Sequence, residues 1–353
     1  MSKPRLYTLL SLLSLLVLLV IGLGYGWLGD APAPAPAPSH GYTKALTMAH
    51  EGQPGAARVL YQQLARADLS GIRRASLHAE LPNYPSPLAL KLADQDLSHD
   101  DPLVRRAAIA SISALVPAPQ RSVLLGPMLE DPEQSVRFAA VDALLGLGPD
   151  DVGLYYGPLQ QALEQYQQAL LKQLDDAAAQ VHLARLYVHE GHDDEAAQAL
   201  ERALALAPDD LEALAAKVRL LDSQGHADAS RELLAQALKR HPDSAFLQHE
   251  LGLWLMRHDQ HEYALLAFDR ALALDPDNAE YRYTLALTLH SLEQVEVAQK
   301  QLETLLARQP ANRKARVLLI GYWKETGQLQ NVQVLLAQLE QQNPDDPLVQ
   351  QGL

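Results

Sequence analysis

Histidine and aspartate are the residues of this chain whose types and spacing come nearest to chemistry. Thirteen histidines invite a metal site, and "HEGH" (residues 189–192) and "HDQH" (residues 258–261) bring two of them closest together. A zinc hydrolase writes His-Glu-x-x-His, which sets two imidazoles on one helical face beside a glutamate base. Neither tetrad has that spacing, and no third or fourth ligand stands at a matching interval. These histidines read as solvated or structural groups in turns between helices. The pairs Asp175-Asp176, Asp193-Asp194 and Asp209-Asp210 fit helix starts better than a general acid and base, because a carboxylate there accepts the free amides of the first turn. "GLGYG" (residues 22–26) lies inside an apolar run and is no phosphate loop. Cysteine is absent, which removes disulfides, haem attachment through CxxCH, thiolate metal sites and a lipoprotein anchor. The side chains therefore point to no catalytic, cofactor or metal site, and away from an enzyme.

What does repeat is the frame that would carry such groups. "ALERALALAPDD" (residues 199–210) returns almost unchanged as "AFDRALALDPDN" (residues 267–278). Pro208, Pro242, Pro276, Pro310 and Pro344 stand at one interval, 34 residues, each behind an apolar stretch with helical spacing. Proline lacks an N–H and restricts the residue before it, so each one closes a helical unit. Ala196, Ala264 and Ala298 keep one place in the unit; Leu200, Leu234, Phe268, Leu302 and Leu336 keep another; Ala203, Ala237 and Ala271 a third. A small residue where two helices cross, followed by bulky ones a turn later, describes a packed helical hairpin.

These units resemble the tetratricopeptide repeat (TPR) family. Leu183-Ala184, Tyr187, Gly191, Ala196, Leu200, Ala203 and Pro208 follow its pattern, as do Leu251-Gly252, Leu255, Ala264, Phe268, Ala271 and Pro276. Ser230 and Val332 replace the small residue in two units, Leu339 replaces the last Ala, and the family's early Trp is absent. Five units cover residues 177–344, and "QQALEQYQQALL" (residues 160–171) is similar to a preceding second helix. Upstream the interval becomes 32: "IRRASLHAEL" (72–81), "VRRAAIASIS" (104–113) and "VRFAAVDALL" (136–145) align without gaps. Asp101-Pro102 and Asp131-Pro132 supply a cap followed by a proline at a helix start. This phrase resembles a HEAT repeat over residues 54–146. Arg73, Arg105 and Arg137 fall in register there and read as solvated or ladder-forming surface groups rather than ligand-binding ones.

The N-terminal part concerns address. Residues 6–28 carry no charge, enough for about 34 Å of helix at ~1.5 Å per residue. Lys3 and Arg5 precede the run, and no Lys or Arg follows until Lys44. That asymmetry predicts a single-pass bacterial inner-membrane helix with a cytoplasmic N-terminus and the remainder in the periplasm. A cleaved signal peptide is the rival reading. The apolar run is long for one, and prolines crowd the cleavage position, so an uncleaved anchor is favoured. "APAPAPAP" (31–38) reads as a stiff spacer. The formal net charge of −14 argues against nucleic acid as a partner.

The expectation is an all-α protein: a right-handed α-solenoid of HEAT-like pairs followed by TPR hairpins, behind one N-terminal transmembrane helix. Its parts are the anchor (1–30), an Ala/Pro linker (31–40), HEAT-like repeats (41–150) and a TPR domain (155–353). The order of units is similar to the C-terminal half of certain bacterial multihaem c-type cytochromes, without their haem motifs. The resemblance implies periplasmic company, with a c-type cytochrome or a respiratory complex as protein partner, and no electron transfer by this chain. A membrane-anchored interaction scaffold or assembly factor is the reading favoured. The alternative is a chaperone-like receptor for apo-cytochrome during c-type cytochrome maturation. In TPR proteins the first helices of successive units line the concave surface. The resemblance therefore implies a partner-binding set of Arg185, His189, Arg219, His249, Leu253, Met256, Arg257, Tyr283, Leu287 and His290. It is rich in cationic groups and suits a segment bearing acidic and apolar residues. Val181 and Arg185 occupy the first positions of the family's Lys/Asn carboxylate clamp, so that clamp is not expected.

Overall fold

The computed structural model describes residues 41–351. The expected membrane span (6–28) and the linker (31–40) thus lie outside the described residues, among which no helix is long and apolar enough to cross a membrane. All regular elements among the described residues are α- or 3₁₀-helices, and the chain from Tyr42 onward forms one compact unit.

The first part comprises α1 (Tyr42–His50), α2 (Ala56–Leu64), α3 (Gly71–Glu80), α4 (Pro87–Asp96), α5 (Pro102–Leu115), α6 (Ala118–Leu125) and α7 (Gln134–Leu144). The three phrases that repeat at 32 residues are α3, α5 and α7, and they stack directly on one another. Ser86 caps α4 by accepting the Ala89 amide, and Asp101 caps α5 by accepting that of Leu103, each followed by proline in the first turn. α7 departs from the expected pattern. It begins at Gln134, past Asp131-Pro132, although the Asp131 carboxylate accepts the Glu133 amide at 2.8 Å and is also held by Arg105 from the preceding unit. The short α8 (Pro149–Val152) and α9 (Tyr156–Leu170) lead into the second part.

Ten helices then run in pairs: α10 (Ala177–Glu190) with α11 (Asp193–Leu206), α12 (Leu211–Ser223) with α13 (Ala227–Arg240), α14 (Ala245–Arg257) with α15 (His261–Leu274), α16 (Ala279–Ser291) with α17 (Val295–Arg308), and α18 (Arg313–Glu325) with α19 (Leu329–Gln342). A short α20 (Pro347–Gln351) follows. The starts are set by side chains that recur at the repeat interval: Asp176, Asp210, Ser244, Asn278 and Asn312 each accept amides from the first turn of α10, α12, α14, α16 and α18. Only the first two were evident as paired aspartates. The turns inside the hairpins use a left-handed residue at the same interval, Gly191, Gly225, Asp259, Glu293 and Gly327. Glycine is the residue that adopts this conformation without steric cost, so Asp259 and Glu293 hold it under strain.

Ala196, Ser230, Ala264, Ala298 and Val332 are all fully buried where the paired helices cross. Ser230 is matched by its neighbour, since Trp254 Nε1 donates to its hydroxyl at 2.9 Å. Gly252 packs against Phe268, one turn from Ala264; a Cβ there would lie 2.4 Å from the ring.

The two ends of the stack meet. Gly55 N donates to Gln341 O at 2.7 Å, Asn343 Nδ2 donates to Pro85 O at 2.8 Å, and Arg313 N to Asn83 Oδ1 at 3.4 Å. A Cβ on Gly52 would stand 2.8 Å from the Pro310 carbonyl carbon. Ala311 belongs to the same apolar core as α1–α7. Asn343 and Asp346 are fully buried at this seam, so the first helical pair seals the end that an open solenoid would leave to water.

Candidate functional site

Successive first helices α10, α12 and α14 enclose a groove of about 750 Å³. Helical geometry places residues i, i+4 and i+7 on one face. On α10 these are Ala178, His182 and Arg185; the repeat interval carries the face to Glu212, Ala216 and Arg219 on α12, and to Phe246 and Glu250 on α14. Val181, Val188, Leu200 and Leu220 complete an apolar floor between the charged groups. Of the ten residues expected on this surface, Arg185 and Arg219 line the groove.

Both arginines are already paired. Arg185 Nη2 donates to Asp142 Oδ1 on α7, and Arg219 Nη1 to Glu250 Oε2 on α14 at 2.9 Å. Burial pushes the Asp142 carboxyl above its usual range, with Arg185 pulling the other way. Farther along, Arg257 Nε and His258 Nε2 each reach Asp222 at 2.7 Å. Burial alone would raise the Asp222 carboxyl; the hydrogen bonds from Arg257 and His258 outweigh it and hold it below its usual range. His290 Nε2 meets Glu325 Oε2 at 2.7 Å and its ring stacks on Tyr322 with centroids 3.8 Å apart. The Arg219, Arg257 and His290 pairs join neighbouring units, and the Arg185 pair reaches past α9 to α7. The expected cationic wall is therefore a neutralised one, in which every acid comes from another helix. The groove thus joins an apolar floor to charges of both signs, since Asp210 and Glu212 line it as well.

The remaining expected residues divide. His189, in the last turn of α10, and Leu287, on α16, are exposed. Leu253, Met256 and Tyr283 are half-buried against the core, with Lys314 Nζ 4.1 Å from the centre of the Tyr283 ring. His249 is not a surface group. It is buried between the Phe268 and Tyr281 rings, at 5.5 and 4.8 Å, and its Nε2 has no hydrogen-bond partner. Burial lowers its pKa, which leaves it neutral near pH 7. One helical position, about 100°, separates it from Glu250, which does face the groove; that single step turns the imidazole inward. Sequence reasoning missed the positions of His182, Ala216 and Glu250, although their spacing of 34 was the available signal. The acids Asp142 and Asp222 obey no common interval and left no signal.

In the first part, Arg105 is buried, with Nε and Nη2 both 2.8 Å from the Asp131 carboxylate. Arg74, rather than the expected Arg73, makes the equivalent pair, with Asp96 Oδ2 at 2.7 Å. Arg73 instead stands 5.3 Å from the Tyr42 ring centre. His78 shares Asp96 from the other side, at 2.8 Å. Among the described residues no group of three or more His, Asp or Glu could hold a metal ion.

Two tetratricopeptide repeat families match the chain, over residues 154–210 and 194–249, and these units are TPR repeats. No curated protein matches the sequence. Similar solved structures include TTC0263, a thermophilic TPR protein in Thermus thermophilus, at 21% identity, covering 58% of this chain and 98% of that one, with a TM-score of 0.41. YrrB, described as a TPR protein with an unusual peptide-binding site, is 18% identical over 54% of this chain and 98% of its own, at a TM-score of 0.36. Yeast Tom70 is 12% identical, covers 91% of this chain and 64% of its own, and has a TM-score of 0.48.

Proposed function

We propose that this chain is a protein-binding scaffold that takes a segment of its partner into the groove between α10, α12 and α14. The observation that carries the reading is the groove itself. It is concave, of a size that holds several side chains, floored by Val181, Val188, Leu200, Leu220 and Phe246, and edged by charges of both signs. An apolar floor supplies affinity through burial, while the paired rim charges set orientation and reject mismatched segments. No bond is made or broken in this role.

The same reading places residues 6–28 as an anchor in a bacterial inner membrane, with the repeats in the periplasm and the Ala-Pro segment as spacer. Its support is the charge asymmetry about that run, Lys3 and Arg5 before it and none until Lys44. The partner class proposed is a c-type cytochrome or a respiratory complex, on the likeness of the unit order. An extended apolar segment, which a haem-free cytochrome offers and a folded one hides, would suit the same floor; that favours the maturation reading as the second one.

Filling the groove tests the proposal. Ala216→Arg in the full-length protein should abolish co-purification of the partner from mild detergent while the helical circular dichroism stays unchanged. Retention of the partner at the unsubstituted level would remove the groove from the binding surface. Comparing purified holo- and apo-cytochrome on the captured protein then separates scaffold from maturation receptor.

A further inference from the structure

The arginine ladder of the first part ends on an empty rung. In the second rung, Arg105 divides its guanidinium between two duties. Nη1 donates to the backbone carbonyls of His99 and Asp100, at 2.8 and 3.1 Å, and the Nε–Nη2 edge grips the Asp131 carboxylate. Arg137 sits 32 residues on and repeats the first duty, with Nη1 donating to the carbonyls of Asp131 and Pro132 at 2.7 and 3.1 Å. It has nothing for the second. Its Nε is buried without a hydrogen-bond partner, and no described carboxylate lies within ion-pair distance of it. Asp131 is occupied by Arg105, and the next unit, where the ladder would supply an acid, is α9, which presents Gln161 and Gln165 instead. Between Arg137 and α9 lies a polar pocket of about 450 Å³.

We propose that this pocket binds a carboxylate, seated on the Nε–Nη2 edge of Arg137 as Asp131 is seated on Arg105, with the Gln161 and Gln165 amides as further donors. The fork of a guanidinium matches the two oxygens of a carboxylate in one plane, which favours this anion over a point charge such as chloride. A buried Nε without a partner is costly, so the bound anion satisfies a donor that the fold leaves open on a half-buried side chain. Two carboxylates line the pocket as well: Asp131, whose charge Arg105 offsets, and Glu130, exposed on the rim, which opposes binding and sets a modest affinity. The carboxylate can come from an aspartate of a partner protein or from a small acid. This site lies at the junction of the two repeat types, apart from the groove, and stands independently of it.

The test is a titration of full-length protein followed by the Arg137 Nε–H signal in ¹H–¹⁵N spectra, assigned with Arg137→Lys. The probes are sodium acetate, a capped Gly-Ala-Asp-Ala peptide and its Asn twin, at constant ionic strength set with chloride. Saturable shifts with acetate or the Asp peptide, and none with the Asn twin, are expected; the tighter of the two identifies the source. Arg137→Gln should weaken binding at least tenfold, and Glu130→Gln should strengthen it. Gln161→Glu, which supplies the missing rung internally, should raise the melting temperature and exclude both probes. Shifts that do not saturate, or binding that persists unchanged in Arg137→Gln or Gln161→Glu, would overturn the assignment.

Discussion

The two halves of the repeat stack use one device, an arginine from one unit joined to an acid of an adjacent one, at very different depths. In the first half the pairs are interior: the Arg105 and Asp131 side chains are 11% and 5% exposed, and those of Arg74 and Asp96 are the same. Along the open face of the second half the arginine stays half in water, 49% exposed for Arg219 and 41% for Arg257, while at the seam Arg313 is 24% exposed against a fully buried Asp346. The cause is where each arginine sits. Arg105 lies beneath the loop that precedes its own helix and bonds that loop's carbonyls, whereas Arg219 and Arg257 lie along the open face of the first helices. A buried ion pair makes the fold dependent on both partners, and an exposed one leaves the face free to exchange partners.

The largest effect expected from this contrast is in stability. Asp131→Ala strands the Arg105 guanidinium in the interior and should cost about 3–5 kcal/mol. Arg257→Ala removes a half-solvated partner while His258 still holds Asp222, and should cost less than about 1 kcal/mol. Urea denaturation of both variants measures the gap; equal losses would erase the contrast between the halves.

Next in size is packing between paired helices. Ala264→Leu, at a fully buried crossing, and Gly252→Ala, whose new Cβ must displace the Phe268 ring, should each lose roughly 1–3 kcal/mol. Tolerance at both would mean that the hairpins are looser than the contacts around Phe268 imply.

A pH dependence comes third. His249 is buried and its folded pKa lies below the unfolded value of about 6.5. The unfolded chain therefore binds this proton first, and stability falls as pH drops from about 6.5 towards the depressed folded value. His249→Phe should flatten that part of the curve, followed by thermal melts at stepped pH. An unchanged slope would assign the acid sensitivity to other groups.

The smallest effect is a gain. Glu293 occupies the left-handed turn position that Gly191, Gly225 and Gly327 hold in other units. Glu293→Gly should relieve strain and add about 1 kcal/mol at most, because the flexibility of glycine in the unfolded chain offsets part of it. Its measure is the midpoint of chemical denaturation, and a loss there would show that the Glu293 side chain contributes more than its backbone costs.

Repeat length, hairpin pairing and the proline-closed helix ends were legible from residue types alone, while the start of α7 and three of the five recurring caps were not. A cap such as Asp210 bonds amides two and three residues away, and a proline such as Pro276 ends a helix by its own covalent geometry. Such forces act within a turn, so they leave a periodic trace. Tertiary structure alone decided which charges stay free. Arg219 finds Glu250 because stacking brings those helices side by side, and Arg185 finds Asp142 because α9 packs against the helices of both. His249 is buried rather than exposed by a rotation of one residue about the helix axis, and Asn343 reaches Pro85 across 258 positions of sequence. Those outcomes depend on the small rotation from each unit to the next, summed over the whole stack, and no single repeat encodes the sum.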